Sequence, residues 1–183
     1  MVRSSVGTKL YLGVMAIFLL FAVSFIVFQH DREKRYKIDV LDTRLQDYNE
    51  RMAEVLAMNR NMTEKAIDAY VKEHYEPDMR VTMIDMKGRV IFDNKYKDYA
   101  KLENHLGRDE VRQALRQGSG YDIDRKSSTM GQSYFYSATS FPRQHFIIRT
   151  ALPYNDSLAR TLRTDQHYVW FALLAMVLLT VTL

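Results

Sequence analysis

The sequence contains no cysteine, which excludes a disulfide framework, a thiolate nucleophile and a cysteine-ligated zinc site. Glycine and proline are sparse, and neither occurs between Gly13 and Pro77. These two residues are the strongest interrupters of a helix, so one helix can run from the N-terminal segment into the body of the chain. Charge of one sign is scarce as well. The net charge is +4 at pH 7 over 183 residues, too small an excess to argue for a nucleic-acid partner.

Catalytic signatures are missing too. The stretch RKSSTMGQSYFYSA, residues 125–138, places Ser127, Ser128 and Thr129 before Gly131. A phosphate loop needs its glycines ahead of the Lys-Ser or Lys-Thr pair and a helix after it, and a nucleophile elbow needs G-x-S-x-G. Neither pattern is met, and the hydroxyls have no local base to activate them. The five histidines, His30, His74, His105, His145 and His167, show no strong zinc spacing. Glu103 with His105 reads as a surface or capping pair, and Asp122 with Asp124 as a solvated strand face rather than a cation site. We therefore expect no catalytic residue, metal or cofactor in this chain.

What the sequence does have is a long apolar run. Leu10 to Phe28 reads LYLGVMAIFLLFAVSFIVF, 19 residues without a charge, close to the ~20 that cross a bilayer as a helix. The flank QHDREKRY offers no signal-peptidase site, so the helix is expected to stay. A second run, YVWFALLAMVLLTVTL from Tyr168, has 16 residues and reads as a second membrane helix cut short, with Tyr168 and Trp170 at its interfacial end. Between them lie 24 Lys and Arg against 22 Asp and Glu, the composition of a soluble domain. The expected layout is a cytoplasmic tail at 1–9, a membrane helix at 10–29, an extracytoplasmic domain at 30–167 and the truncated second membrane helix at 168–183. Arg3 and Lys9 keep the tail inside, although Arg32, Lys34, Arg35 and Lys37 after the first helix count the other way.

Past His30, the residues Ile38, Leu41, Leu45, Tyr48, Met52, Val55, Asn59 and Met62 alternate at spacings of three and four. That is the a/d pattern of a coiled coil and equally the stripe of an amphipathic helix lying on its own domain. Asn61 and Glu64 resemble a capping box that opens a second helix ending by Glu76, before Pro77. The period then shortens. Residues 80–94 read as a hairpin around Lys87-Gly88. RDEVRQALRQG is a short helix with acids in its first turn and Gly118 as its stop. GYDIDRK, QSYFYSAT and HFIIRTAL are three strands, and YNDSLARTLRTDQH is a helix leading into the second apolar run. Five antiparallel strands with segregated helices make an α+β domain. In the 121–138 hairpin, a turn at 128–131 pairs Arg125 with Tyr134, Ile123 with Tyr136 and Tyr121 with Ala138, putting all six on one face.

Binding is the better reading of the polar residues. Arg125 among Tyr134 and Tyr136, with Arg149 on a later strand, is suited to an anion or a small acid, since guanidinium pairs with carboxylate in a planar fork. The competing reading is that these arginines satisfy Asp85 or Asp93 within the domain. The candidate ligand-binding set is Arg125, Tyr134, Tyr136, Arg149 and Asp93.

Several motifs carry a resemblance. Ile84, Asp85, Gly88, Val90 and Asp93 are followed by Glu103-Asn104-His105, then by Arg125, Ser127, Thr129 and Gly131, and finally by Arg149, Ala151, Leu152 and Pro153. This set resembles the extracytoplasmic sensor region of bacterial two-component sensor histidine kinases of the PhoR-like kind, over about residues 80–158. The resemblance implies a PAS-like (PDC/Cache-type) domain with a long N-terminal helix, held between two membrane helices in a homodimer of the cytoplasmic membrane. It also implies a kinase portion after the second helix, which would use ATP and Mg and address a cytoplasmic response regulator. The phosphoacceptor box, the asparagine box and the glycine-rich ATP lid of that portion do not occur in these 183 residues. A chemoreceptor, a diguanylate cyclase or a non-signalling membrane scaffold are the alternatives.

Overall fold

The computed structural model describes residues 6–58, 63–74, 76–127, 131–164 and 167–182. Helix α1 spans Val6–Met58, 53 residues without a break, as the missing glycines and prolines allow. After it come α2 (Glu64–Glu73), β1 (Arg80–Asp85), β2 (Val90–Asp93), a 3-10 turn (Tyr99–Lys101) and α3 (Asp109–Gln117). β3 (Ser119–Lys126), β4 (Ser133–Phe141), β5 (Phe146–Pro153), α4 (Asp156–Leu162) and α5 (His167–Thr182) complete the chain. It divides into two compact units, 1–38 with 162–183, and 39–161.

The first unit holds the apolar ends. Among the described residues, α1 is the one helix long and apolar enough to cross a membrane. At 16 residues, α5 falls short of the ~20 that a full span needs, so the expected pair of spans is reduced to one of sufficient length. The two helices meet in an apolar groove lined by Phe18, Phe21, Phe25, Phe171 and Met176. Above it His30 Nδ1 lies 2.7 Å from Thr164 Oγ1, and Lys37 Nζ donates to the Arg163 carbonyl at 2.6 Å. α4 stops at Leu162 and α5 starts at His167, so the expected continuous helix from residue 155 into the second apolar run is two helices.

The second unit is an α+β sandwich. Its five strands form one antiparallel sheet in the order β2-β1-β5-β4-β3. One face packs on the 39–58 portion of α1. Leu45, Met52 and Leu56 are buried there, Ser137 Oγ donates to Asp42 Oδ1 at 2.5 Å, and Asn49 Nδ2 donates to Thr139 Oγ1 at 3.1 Å. The buried stripe is therefore Asp42, Leu45, Asn49, Met52 and Leu56. The a/d partners Leu41 and Tyr48 are half-buried and Val55 is exposed. Packing on its own domain accounts for these buried positions. Asn59 and Met62 lie outside the described residues.

α2 opens on Thr63, whose hydroxyl accepts from the Ala66 amide, not on a capping box at Asn61, which lies outside the described residues. It ends at Glu73, three residues before the expected limit at Glu76. It buries Ile67, Tyr70 and Val71, and Tyr70 packs edge-on against Tyr48 at 5.9 Å.

α3 covers the opposite face of the sheet, where Val111 and Ala114 meet Ile84, Ala138 and Ile147. Gly118 ends it with φ +97°, a conformation glycine adopts without a steric penalty. Gly120 on β3 lets the helix close in. A Cβ there would stand 2.2 Å from Gln113 Cβ and 2.7 Å from the Glu110 carbonyl oxygen.

The β3–β4 hairpin corrects the expected register. Arg125 pairs with Tyr134 as predicted, but Asp122 pairs with Tyr136, Gly120 with Ala138 and Tyr121 with Ser137. A bulge between Asp122 and Arg125 inserts an extra residue and reverses the side-chain alternation beyond it. Ile123 therefore does not face Tyr136, and Tyr121 leaves the Tyr136 face to stack on Phe135 at 5.9 Å. Of the predicted turn, Ser128, Thr129 and Met130 lie outside the described residues, while Gly131 has φ +71°.

Candidate functional site

The bulge has a chemical consequence. Residues three apart on a regular strand point to opposite faces, yet Asp122 and Arg125 both land on the α3 side, and Arg125 Nε lies 3.1 Å from Asp122 Oδ2. Opposite-pair register places Arg80, Thr82 and Arg149 on that face too, since Arg80 pairs with Ala151 and Thr82 with Arg149 across β1 and β5. Ala151 in turn pairs with Tyr136. Four strands thus deliver Arg80, Arg149, Tyr136 and Arg125 to one patch beneath the start of α3.

A loop supplies the next members. Asn104 Nδ2 donates to the Lys87 carbonyl at 2.7 Å and its Oδ1 accepts from the Leu106 amide at 2.9 Å. The His105 amide donates to the Gly88 carbonyl at 2.9 Å. The Glu103-Asn104-His105 segment is thereby clamped to the β1–β2 turn, which requires glycine at position 88. Its φ is +83° and a Cβ would sit 2.2 Å from Asn104 Oδ1. This clamp turns His105 inward.

Arg80, His105, Arg108, Arg125, Lys126, Ser127, Tyr136 and Arg149 line a cavity of about 10 Å³, the room of roughly one water molecule. The Tyr136 ring lies beneath two guanidiniums, with Arg125 Cζ 4.2 Å and Arg149 Cζ 4.8 Å from its centroid, within cation–π range. Glu110, wholly buried, supplies the counter-charge. Its Oε1 accepts from Arg125 Nη2 at 2.7 Å and from Arg149 Nη1 at 3.2 Å. Arg80 Nε donates to Asp93 Oδ2 at 2.9 Å and its Nη1 to Ser127 Oγ at 3.5 Å. The other bonds of Asp93 come from Thr82 Oγ1 and from the Lys95 and Tyr96 amides. Arg80 Nη2, Arg149 Nε and Glu110 Oε2 make no hydrogen bond among the described residues. Buried polar groups are rarely left so.

Burial, reinforced by the guanidiniums of Arg149, Arg108 and Arg80, pushes His105 down to about 3. The imidazole is therefore neutral at pH 7, with Nδ1 donating to the Glu103 carbonyl at 2.6 Å. Burial also lowers Arg149, against the opposing pull of Glu110. Asp122 is raised by burial, which outweighs Arg125. Chemically, the cluster offers N–H donors in planar forks over an aromatic floor.

Of the sequence-derived candidates, Arg125, Tyr136 and Arg149 come together. Tyr134 stands beside them, its ring 5.8 Å from that of Tyr136 and its hydroxyl accepting from Gln132 Nε2 at 2.8 Å. Asp93 sits one layer away, engaged with Arg80. The competing ion-pair reading is met in part. Asp93 pairs within the domain, but with Arg80, and Asp85 pairs with Arg89 in the β1–β2 turn. Six members lay outside the sequence-derived set: Arg80, Glu110, His105, Arg108, Lys126 and Ser127. Glu110 looks like an ordinary first-turn helix acid, and no pattern marks it as buried.

No protein-family model matches the chain, and no curated protein sequence does. Several solved structures are similar at low identity. One is the periplasmic sensor domain of a chemotaxis protein, at 15% identity and a TM-score of 0.44, covering 68% of this chain and 97% of that one. Another is a Cache chemosensory domain described for carboxylic acid recognition, at 13% identity and a TM-score of 0.44, covering 68% and 95%. A third is the extracellular domain of a protein described as a histidine kinase, rpHK1S-Z16, at 13% identity and a TM-score of 0.41. This chain covers 39% of that domain, and the match covers 53% of this chain.

Proposed function

We propose that the chain is the membrane-anchored input region of a signal-transducing receptor, and that its guanidinium cluster is the binding site for a small carboxylate. The observation that carries the reading is the buried Arg80 and Arg149 with the partly exposed Arg125 around Tyr136, and the hydrogen-bonding capacity left over at Arg80 Nη2 and Arg149 Nε. Such a set is costly to bury and matches the planar fork of a carboxylate. The apolar N-terminal part of α1 anchors the chain in the membrane, α5 enters the same bilayer beside it, and the 39–161 unit lies outside the cytoplasm. The receptor acts as a homodimer, and α1, which joins the sensing unit to the membrane, carries the response. The input role is common to chemoreceptors, histidine kinases and diguanylate cyclases. A histidine kinase would add ATP, Mg and a response regulator in its cytoplasmic portion.

The test is thermal unfolding of the full chain in lipid nanodiscs, titrated with sodium acetate against sodium chloride at equal ionic strength. A ligand that binds only the native state raises stability by about 2.7 kcal/mol at a hundred times its Kd. Acetate should raise the midpoint saturably, and Arg125→Gln, at a partly exposed member of the cluster, should abolish the rise. A midpoint that acetate moves no more than chloride does would refute the carboxylate site.

A further inference from the structure

The cavity is too small for the ligand just proposed. At about 10 Å³ it holds roughly one water, and the position a carboxylate would take is filled by one already, that of Glu110. This resident carboxylate fits imperfectly. One oxygen, Oε1, serves both Arg125 and Arg149, while Oε2 and Arg149 Nε, both buried, have no partner among the described residues. As seated on the first turn of α3, Glu110 turns only one oxygen onto the guanidiniums. A free carboxylate can turn both, and paired N–H···O bonds are the stronger arrangement.

We infer that Glu110 is a built-in stand-in for the ligand, and that an incoming carboxylate binds by displacing it and so releases the first turn of α3. This rests on the carboxylate site proposed above and adds its mechanism. The energetics favour an exchange over simple addition. Expelling Glu110 with nothing in its place would leave the buried Arg149 without its carboxylate and Arg125 with Asp122 alone, which is strongly unfavourable. Replacing one carboxylate by another keeps the charge balance and satisfies atoms now idle. Once out, the Glu110 side chain recovers its hydration, because α3 borders solvent on the side of Asp109 and Arg112, an exposed ion pair. The freed turn is the one closed by the Arg112 amide on the Arg108 carbonyl at 2.8 Å. The rest of α3 stays seated through Val111 and Ala114.

Two measurements on the full chain in nanodiscs test the exchange, with sodium acetate as the probe. In Glu110→Gln the side-chain oxygen still accepts from the guanidiniums but carries no charge, so acetate should bind about tenfold or more tighter than to wild type, equivalent to about 1.4 kcal/mol. Amide hydrogen exchange in wild type, which needs no variant to fold, should quicken at Arg112 and Gln113 when acetate saturates the site. Acetate that binds wild type and Glu110→Gln equally, or that slows or leaves unchanged the exchange of these amides, overturns the displacement and leaves the carboxylate site standing. Acetate that binds neither protein overturns both.

Discussion

Replacing His105 with asparagine isolates one buried group and asks whether its environment is as described. The asparagine amide can still donate to the Glu103 carbonyl, as His105 Nδ1 does, but it does not titrate. In the folded chain His105 is held down to about 3 from an ordinary 6.5. Between those values the unfolded chain binds a proton that the folded chain does not, so stability must fall as pH falls. Above pH 6.5 the imidazole is neutral in both states and contributes no slope. Each pH unit below that costs about 1.4 kcal/mol, so at about pH 4.5 the wild type should have lost about 3 kcal/mol through this one residue. That is a sizeable part of a typical domain stability of about 5–15 kcal/mol. Other titrating groups contribute alike to both proteins and cancel in the difference. The assay is urea unfolding of the full chain in nanodiscs, followed by near-ultraviolet circular dichroism of the buried tyrosines. The lone tryptophan, Trp170, lies in α5, outside the 39–161 unit. The expected result is that His105→Asn is the less stable protein at pH 7, from lost packing, and that the gap closes or reverses by about pH 4.5. Parallel pH profiles for the two proteins would refute the buried, guanidinium-flanked placement of His105.

Three further substitutions test separate parts of the structure. Asp93→Asn removes the charge that Arg80 pairs with at 2.9 Å in a fully buried setting, and the unfolding midpoint should drop by the equivalent of about 3–5 kcal/mol; a shift under about 1 kcal/mol would mean that Arg80 reaches solvent. Gly120→Ala forces a Cβ to 2.2 Å from Gln113 Cβ and 2.7 Å from the Glu110 carbonyl, so it should cost about 1–3 kcal/mol by overpacking, and its hydrogen exchange should rise first in α3. Leu45→Lys places a charge at a position buried against the sheet of its own chain. The near-ultraviolet dichroism of the sensing unit should be lost with it, whereas intact dichroism with weakened self-association in ultracentrifugation would return Leu45 to an intermolecular seam.

Much of this architecture was legible, and the limits have physical causes. The unbroken α1 followed from the absence of glycine and proline. The strands followed from alternation, and the stop of α3 from Gly118. The hairpin was read correctly at Arg125–Tyr134 and wrongly at Tyr121, because a bulge adds a residue without any mark in composition: Ile123 and Asp124 continue the alternating pattern as if nothing intervened. On α1 the apolar pattern pointed correctly to Leu45 and Met52, which are buried, but also to Leu41, Tyr48 and Val55, which are not. The buried stripe instead runs through Asp42 and Asn49, polar residues that become interior only because Ser137 and Thr139 stand opposite them. Glu110 was hidden by the same logic. An acid in the first turn of a helix has a sufficient explanation in the helix dipole, and its contact with two arginines from β3 and β5 exists only once the sheet is assembled.

These misread positions converge on β4, which lies between the two helical layers. Its odd and even residues have divided roles. Tyr136 sits under the guanidiniums of Arg125 and Arg149 and Ala138 packs on α3, while Ser137 and Thr139 hydrogen-bond to Asp42 and Asn49 of α1. Adjacent residues on one strand thus touch the proposed ligand site and the helix that leads to the membrane. Interiors packed near crystal density have little slack to absorb a shift locally, and elements so packed move between discrete arrangements. A change in the charge cluster that displaces Tyr136 must move the peptide that carries Ser137, and with it the short bond to Asp42. That carboxylate is raised by burial, against the hydrogen bonds from Ser137 and Gln46. Losing the Ser137 bond leaves a buried charge less satisfied, which makes the α1 contact sensitive to small displacements of β4 rather than a passive apolar seam.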